Sequence, residues 1–251
     1  MHLISSKQAT RRQILKGIGG IGALGALCTT GLAAEKSAPK LKLKKGSVIV
    51  FQGDSITDAG RDQKITEPNH VKALGNSYAA VAAGGLLGAH PELELKIYNR
   101  GISGNKIPDL ASRWQKDAID LKPDVLSILV GVNDLWHTFA FGSKYKATIK
   151  DYENGYRELI ERTQREVPGV QIVICEAFSL RDSKDFEPLK EFAAVNRKLA
   201  TEFDLTFVPF QSTFDKATQA APAKFWLWDG IHPTLPGHAL MARTWHAATG
   251  T

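Results

Sequence analysis

The chain has 251 residues, 43% of them hydrophobic and 23% charged, and a formal net charge of +6. That balance excludes a wholly disordered chain, a collagen and a disulfide scaffold, and the length suits one domain with a small appendage. A positive surplus ordinarily points to nucleic acid or an anionic surface as partner, so the placement of the charge matters first.

The charge sits at the N-terminus. Residues 1–34 hold Lys7, Arg11, Arg12 and Lys16 and no acid, a net +4. Residues 35–45 set Lys36, Lys40, Lys42, Lys44 and Lys45 against Glu35, another +4. Residues 46–251 therefore carry −2. The body of the protein is slightly acidic, and no nucleic-acid partner is expected.

Residues 1–34 have the anatomy of an export leader. The charged start ends at Lys16, and an uncharged run, 17–34, closes on Gly31-Leu32-Ala33-Ala34. Six glycines in that run lower its hydrophobicity and helix propensity, which disfavours a permanent membrane span. The stretch Thr10-Arg11-Arg12-Gln13-Ile14-Leu15-Lys16 resembles the bacterial twin-arginine signal, Ser/Thr-Arg-Arg-x-hydrophobic-Leu-Lys. The resemblance implies the twin-arginine export machinery as a partner and delivery of a folded protein to the periplasm or the exterior. An uncleaved N-terminal anchor is the alternative. Cys28 follows Leu27, which is too large to precede a lipidated cysteine. Gly17-x-Gly19-x-x-Gly22 matches the dinucleotide fingerprint only as a string, because no strand precedes it. With Cys28 in the leader, Cys175 stands alone in an apolar run and reads as a buried, inert thiol.

The lysines of 35–45 read as a solvated linker to a domain at 46–251. There, short apolar runs at 47–52, 93–98, 124–130, 170–175 and 205–209 have strand length. Between and after them, 78–87, 109–121, 150–167, 189–203 and 236–248 carry helical features, with Pro236 suited to a first turn. Strands alternating with helices predict an α/β domain with a parallel sheet covered on both faces. Ligands bind beyond the carboxyl ends of such strands. The loops there read Gly53-Asp54-Ser55-Ile56-Thr57, Asn99-Arg100-Gly101-Ile102-Ser103-Gly104-Asn105 and Gly131-Val132-Asn133-Asp134, with Asp229-Gly230-Ile231-His232-Pro233 near the C-terminus.

Ser55 follows an apolar strand by a tight Gly-Asp step, which suits an exposed hydroxyl. The α/β-hydrolase elbow would need glycine where Thr57 stands, so that fold's motif is not matched. A serine needs a base, and the base an orienting acid. His232 has Asp229 three residues before it; His70, His90 and His137 have no acid so placed, and His238 and His246 fall in a helical pattern. A tetrahedral intermediate needs donors for its oxyanion. Asn133 offers a side-chain amide, Gly104 an unobstructed N–H, and Ser55 its own N–H. No His-Glu-x-x-His or paired-cysteine pattern occurs, so no metal or other cofactor is expected.

Four blocks now stand in order: Gly53-Asp54-Ser55, Gly104 within Ile102-Ser103-Gly104-Asn105, Gly131-x-Asn133-Asp134, and Asp229-x-x-His232. Together they resemble the SGNH subgroup of the GDSL hydrolases. The resemblance implies a three-layer α/β/α sandwich of flavodoxin-like type with a five-stranded parallel sheet. It implies Ser55 as nucleophile, His232 as general base and acid, and Asp229 as its orienter. It also implies an oxyanion hole from Ser55, Gly104 and Asn133; Gly101 competes with Gly104, but the Ile-Ser-Gly context favours Gly104.

For the substrate, Trp136, Trp226 and Trp228 flank the expected site and could stack on a sugar face or merely pack. In Trp226-Leu227-Trp228 the rings alternate, one toward a cleft and one toward the core. The stretch 58–72, with Asp58, Arg61, Asp62, Gln63, Lys64, Glu67, Asn69 and His70, is polar where a lipid substrate would call for an apolar lid. It is expected to border the site, with His70 as a contact. The expectation is a secreted esterase removing O-acetyl groups from polysaccharides. A lysophospholipase, thioesterase or arylesterase of the same family is the alternative, as is a catalytically weak carbohydrate-binding module.

Overall fold

The computed structural model describes residues 40–251. The leader, its twin-arginine stretch, Cys28 and the first part of the linker lie outside the described residues.

Five strands form one parallel sheet: β1 (Val48–Gly53), β2 (Lys96–Gly101), β3 (Val125–Leu129), β4 (Gln171–Cys175) and β5 (Thr206–Val208). Their order is β2-β1-β3-β4-β5, and every neighbouring pair is parallel. All five residues of β3 are buried, which is why it reads as a continuous apolar run rather than an alternation. Ser127 is its polar exception, and its hydroxyl accepts the Trp245 indole N–H at 3.0 Å. Cys175 at the end of β4 is fully buried, and burial pushes its thiol up to about 12.

The helices are α1 (Ser55–Asp58), α2 (Val71–Leu74), α3 (Tyr78–Ala89), α4 (Ile107–Asp117), α5 (Val132–Phe139), α6 (Ile149–Glu166), α7 (Leu189–Glu202), α8 (Phe210–Ala217), α9 (Ala223–Trp226) and α10 (Leu235–Thr249). α3 and α10 pack together on one face, where Phe51 of β1 lies 6.0 Å from Tyr78 and 5.2 Å from Trp245. α4, α6 and α7 form the other layer. There the Trp114 indole N–H of α4 donates to Thr163 Oγ1 of α6 at 2.9 Å. The arrangement is the three-layer α/β/α sandwich the sequence predicts.

Two expectations shift. The second strand, expected at 93–98, runs from Lys96 to Gly101. Pro91 opens a short turn, Pro91–Leu93, and Glu94 at φ +47° reverses the chain before the strand begins. Asn99 continues the strand because its buried amide is satisfied, donating to Thr57 O at 2.6 Å and Leu74 O at 2.8 Å. The lysine-rich stretch is no free spacer from residue 40 onward. Leu41 and Leu43 pack on the core, Lys42 N donates to Gln171 Oε1, and Lys44 pairs with Asp124 at 3.2 Å.

β1 lies between β2 and β3, so the chain leaves β1 in one direction and returns to add β3 on the other side. The crevice beyond the carboxyl ends of β1 and β3 is the topological switch point, where such sheets bind ligands.

Candidate active site

β1 ends at Gly53, which is paired with Gly101 of β2 and Leu129 of β3. The three loops that follow these strands therefore start side by side. Asp54 caps α1, its Oδ1 accepting the Ile56 N–H at 2.9 Å, and this sets Ser55 at the first position of the helix. Gly101 is required by close approach: a Cβ there would stand 2.4 Å from Asp58 N.

The base arrives from the other end of the chain. Residues 227–233 form a tight turn, with Leu227 bridged antiparallel to Pro233 and Trp228 N donating to His232 O at 3.0 Å. Within it Asp229 Oδ1 accepts the backbone N–H of Ile231 at 2.9 Å and of His232 at 2.7 Å. Its Oδ2 bonds His232 Nδ1 at 2.8 Å, and His232 Nε2 reaches Ser55 Oγ at 2.9 Å. Burial works against the Asp229 charge, but the bonds from His232 and Ile231 outweigh it and hold the carboxyl below its usual range. Ser55, His232 and Asp229 thus form one continuous hydrogen-bonded chain.

Gly104 and Asn133 stand in the two loops beside β1. Gly104 has φ +81°, and Asn133 is buried at the start of α5, with Nδ2 donating to Asn105 O at 3.2 Å. That bond ties the two loops together and leaves the second amide hydrogen of Asn133 free. Asp134 Oδ1 accepts the Ile107 N–H at 2.9 Å, which ties the same loops again. Asp54 and Asp134 are both buried and have one oxygen without a partner. Burial pushes each carboxyl up to about 7.

The tryptophans divide. Trp228 is 61% exposed and stacks on the His232 ring, with centroids 5.5 Å apart. Trp136 lies 6.4 Å from His232. Trp226 is a packing residue, its N–H donating to Ala217 O and Ala221 O. His70 is not brought to the triad. Its Nδ1 accepts the Lys72 N–H at 3.2 Å, because the short helix α2 needs an acceptor for its first turn. His238 lies in α10, and its Nδ1 accepts the Tyr78 N–H at 3.0 Å; burial lowers it to about 4.

Sequence reasoning passes over Arg181, in the loop after β4. Its Nε donates to Asp229 O at 3.2 Å, its Nη2 lies 3.5 Å from Asp229 Oδ2, and its guanidinium lies against Trp136 and Phe186 at 4.8 and 5.0 Å. No motif marks it; the signal was its place after a parallel strand. Phe141, 67% exposed and 5.4 Å from Trp136, extends the aromatic wall.

Residues 51–240 match the GDSL-like lipase/acylhydrolase family. The chain belongs to that family. An acetylxylan esterase from Geobacillus stearothermophilus is 33% identical over 209 residues, 81% of this chain and 94% of that protein. A solved acetylxylan esterase structure from the same organism covers 84% of this chain and 97% of its own, with 31% identity and a TM-score of 0.77. Forms of it described as catalytic mutants carry alanine in place of a serine or an aspartate. A structure from Parabacteroides merdae described as a GDSL-like lipase is 50% identical, covers 84% of this chain and 99% of its own, and has a TM-score of 0.82. The family makes this protein an ester hydrolase of the acylhydrolase type.

Proposed function

We propose that the protein is a serine esterase that removes O-acetyl groups from carbohydrates through an acyl-enzyme on Ser55. The unbroken chain Ser55 Oγ–His232–Asp229, at 2.9 and 2.8 Å, is the observation that carries the reading.

In this mechanism His232 Nε2 takes the proton from Ser55 Oγ as that oxygen attacks the ester carbonyl. The carbonyl oxygen becomes an oxyanion, met by the N–H groups of Ser55 and Gly104 and by Asn133 Nδ2. Collapse expels the sugar hydroxyl, which leaves with the proton from His232. Water, deprotonated by the same imidazole, then attacks the acetyl-enzyme, and acetate departs as Ser55 regains its proton. Asp229 holds His232 in the tautomer that places the proton on Nδ1 and the lone pair on Nε2.

Carbohydrate as the alcohol is supported by the acetylxylan esterase relative and by the aromatic wall of Trp228, Trp136 and Phe141 beside the imidazole. The test is product release from acetylated xylan, acetylated pectin and fatty-acyl esters of rising chain length. Acetate release from the glycans, with rates falling steeply beyond short acyl chains, is expected. Faster cleavage of long acyl chains would favour a lipid substrate, and inertness toward all of them a binding module.

The proposal extends to location. Residues 1–34 act as a cleaved twin-arginine leader that precedes the hydrolase domain, and the mature enzyme works outside the cytoplasm. Replacing Arg11 and Arg12 by lysine should retain the protein in the cytoplasm; unimpaired export of that variant would overturn this. Among the described residues no helix is long and apolar enough to cross a membrane.

A further inference from the structure

The oxyanion donor Gly104 lies in a turn whose own bonds do not hold it against the nucleophile. Asn105 N donates to Ile102 O at 3.2 Å, which closes a four-residue turn over 102–105. Gly104 occupies its third position with φ +81°, the value a type II turn demands there. A Cβ on Gly104 would meet nothing within 4 Å, so glycine is required by the backbone angle and not by crowding.

Ile102 N donates to Gly53 O at 3.1 Å and Asn105 accepts from Asn133 and Arg113, while the grip at Ser103, next to Gly104, comes from Asp58. Its Oδ2 accepts both the backbone N–H of Ser103 at 2.9 Å and the Ser103 hydroxyl at 2.7 Å. Its Oδ1 pairs with Arg61 Nε at 3.0 Å, and Gln63 Nε2 donates to both oxygens at 3.3 and 3.2 Å. Arg61 Nε also donates to Gly101 O at 2.7 Å, at the end of β2. The Asp58 and Arg61 side chains are only 10% and 4% exposed. Burying an ion pair in this way contributes little net stability, because desolvation offsets the attraction. Its value lies in orientation. α1 is a single turn of helix with Ser55 at its first residue and Asp58 at its last.

We propose that Asp58 is a positioning residue: through Ser103 it holds the Gly104 N–H at a fixed place relative to Ser55 Oγ. One turn of helix thereby sets the geometry between nucleophile and oxyanion donor. The inference rests on the reading of Ser55 as nucleophile and Gly104 as donor. Transition-state stabilisation depends on where the donor stands when the oxyanion forms. Loosening the turn therefore lowers kcat and leaves KM nearly unchanged.

The experiment is a mutant cycle on hydrolysis of a short acyl nitrophenyl ester, with thermal unfolding recorded for every variant. Asp58→Asn should lower kcat by roughly 10- to 100-fold, short of the full loss of a donor. Ser103→Ala keeps the ion pair and should lower kcat several-fold, so the inference stays testable if Asp58→Asn does not fold. In a Gly104→Ala background, where the amide is already displaced, both substitutions should cost far less than in the wild type. Equal costs in the two backgrounds, an unchanged kcat, or a loss confined to KM would overturn the role of Asp58. Full activity of Ser55→Ala in the same assay would instead overturn the underlying mechanism.

Discussion

The turns directly after β1, β2 and β3 form one side of the crevice, and the segments around 136–141, 179–186 and 227–232 form the other. On the first side, buried polar side chains bind and brace the loops. Asp58 grips Ser103, Asp134 holds Ile107 N, and Arg113 donates to Asn105 Oδ1, Arg100 O and Gly53 O at 2.8, 2.8 and 3.3 Å. On the second side the contacts are mostly rings and one arginine. Trp228 and Phe141 are 61% and 67% exposed, and Arg181 lies against Trp136 and Phe186. Under the proposed function, the contrast follows from the work each side would do. Charge on an oxyanion is stabilised by donors that do not reorganise, whereas a wall that stacks on sugar faces needs exposed, adaptable surface.

Substitutions on the two sides should therefore break activity in different ways. His232→Ala removes the base and should lower kcat by about 10⁶-fold on any ester, measured in steady-state kinetics. Asn133→Ala removes a donor from the braced side. A fall of ~10²–10³ in kcat with little change in KM is expected. Trp228→Ala strips the open wall. It should raise KM for acetylated xylo-oligosaccharides by several-fold and leave a small nitrophenyl acetate nearly unaffected; equal losses on both substrates would mean that the ring only supports His232.

The smallest effect concerns stability. Burial raises Asp134 to about 7, so the folded protein holds that proton more tightly than the unfolded chain. Its contribution is present in acid and is lost as pH rises from about 4 to 7. Asp134→Asn mimics the neutral form, so the wild type should lose Tm relative to the variant across that interval in calorimetry. His238, lowered to about 4, titrates in the opposite sense in both proteins and cancels from the difference.

The braced side was largely legible in the sequence and the open side was not. Ser55, Gly104 and Asn133 each sit in a loop that follows an apolar run, and a parallel sheet must bring such loops together. Asp229 and His232 are three residues apart and could be paired on spacing alone. Arg181, Phe141 and Phe186 lack such marks, because their neighbours come from distant segments and only packing decides which rings meet. His70 shows the reverse error: a polar residue in the expected rim caps α2 instead. Likewise Asn99 and Arg100 read as loop but belong to β2, since polarity marks a loop only when the buried amide finds no partner.

In the proposed mechanism Ser55 attacks the ester carbonyl. An organophosphate such as diethyl nitrophenyl phosphate phosphorylates an activated serine with loss of nitrophenol, and intact-mass and peptide mass spectrometry locate the adduct. One diethylphosphoryl group on Ser55, formed in step with loss of esterase activity and absent from Ser55→Ala and His232→Ala, is the predicted result. Inactivation with the label on another residue, or undiminished ester hydrolysis by Ser55→Ala, would contradict it.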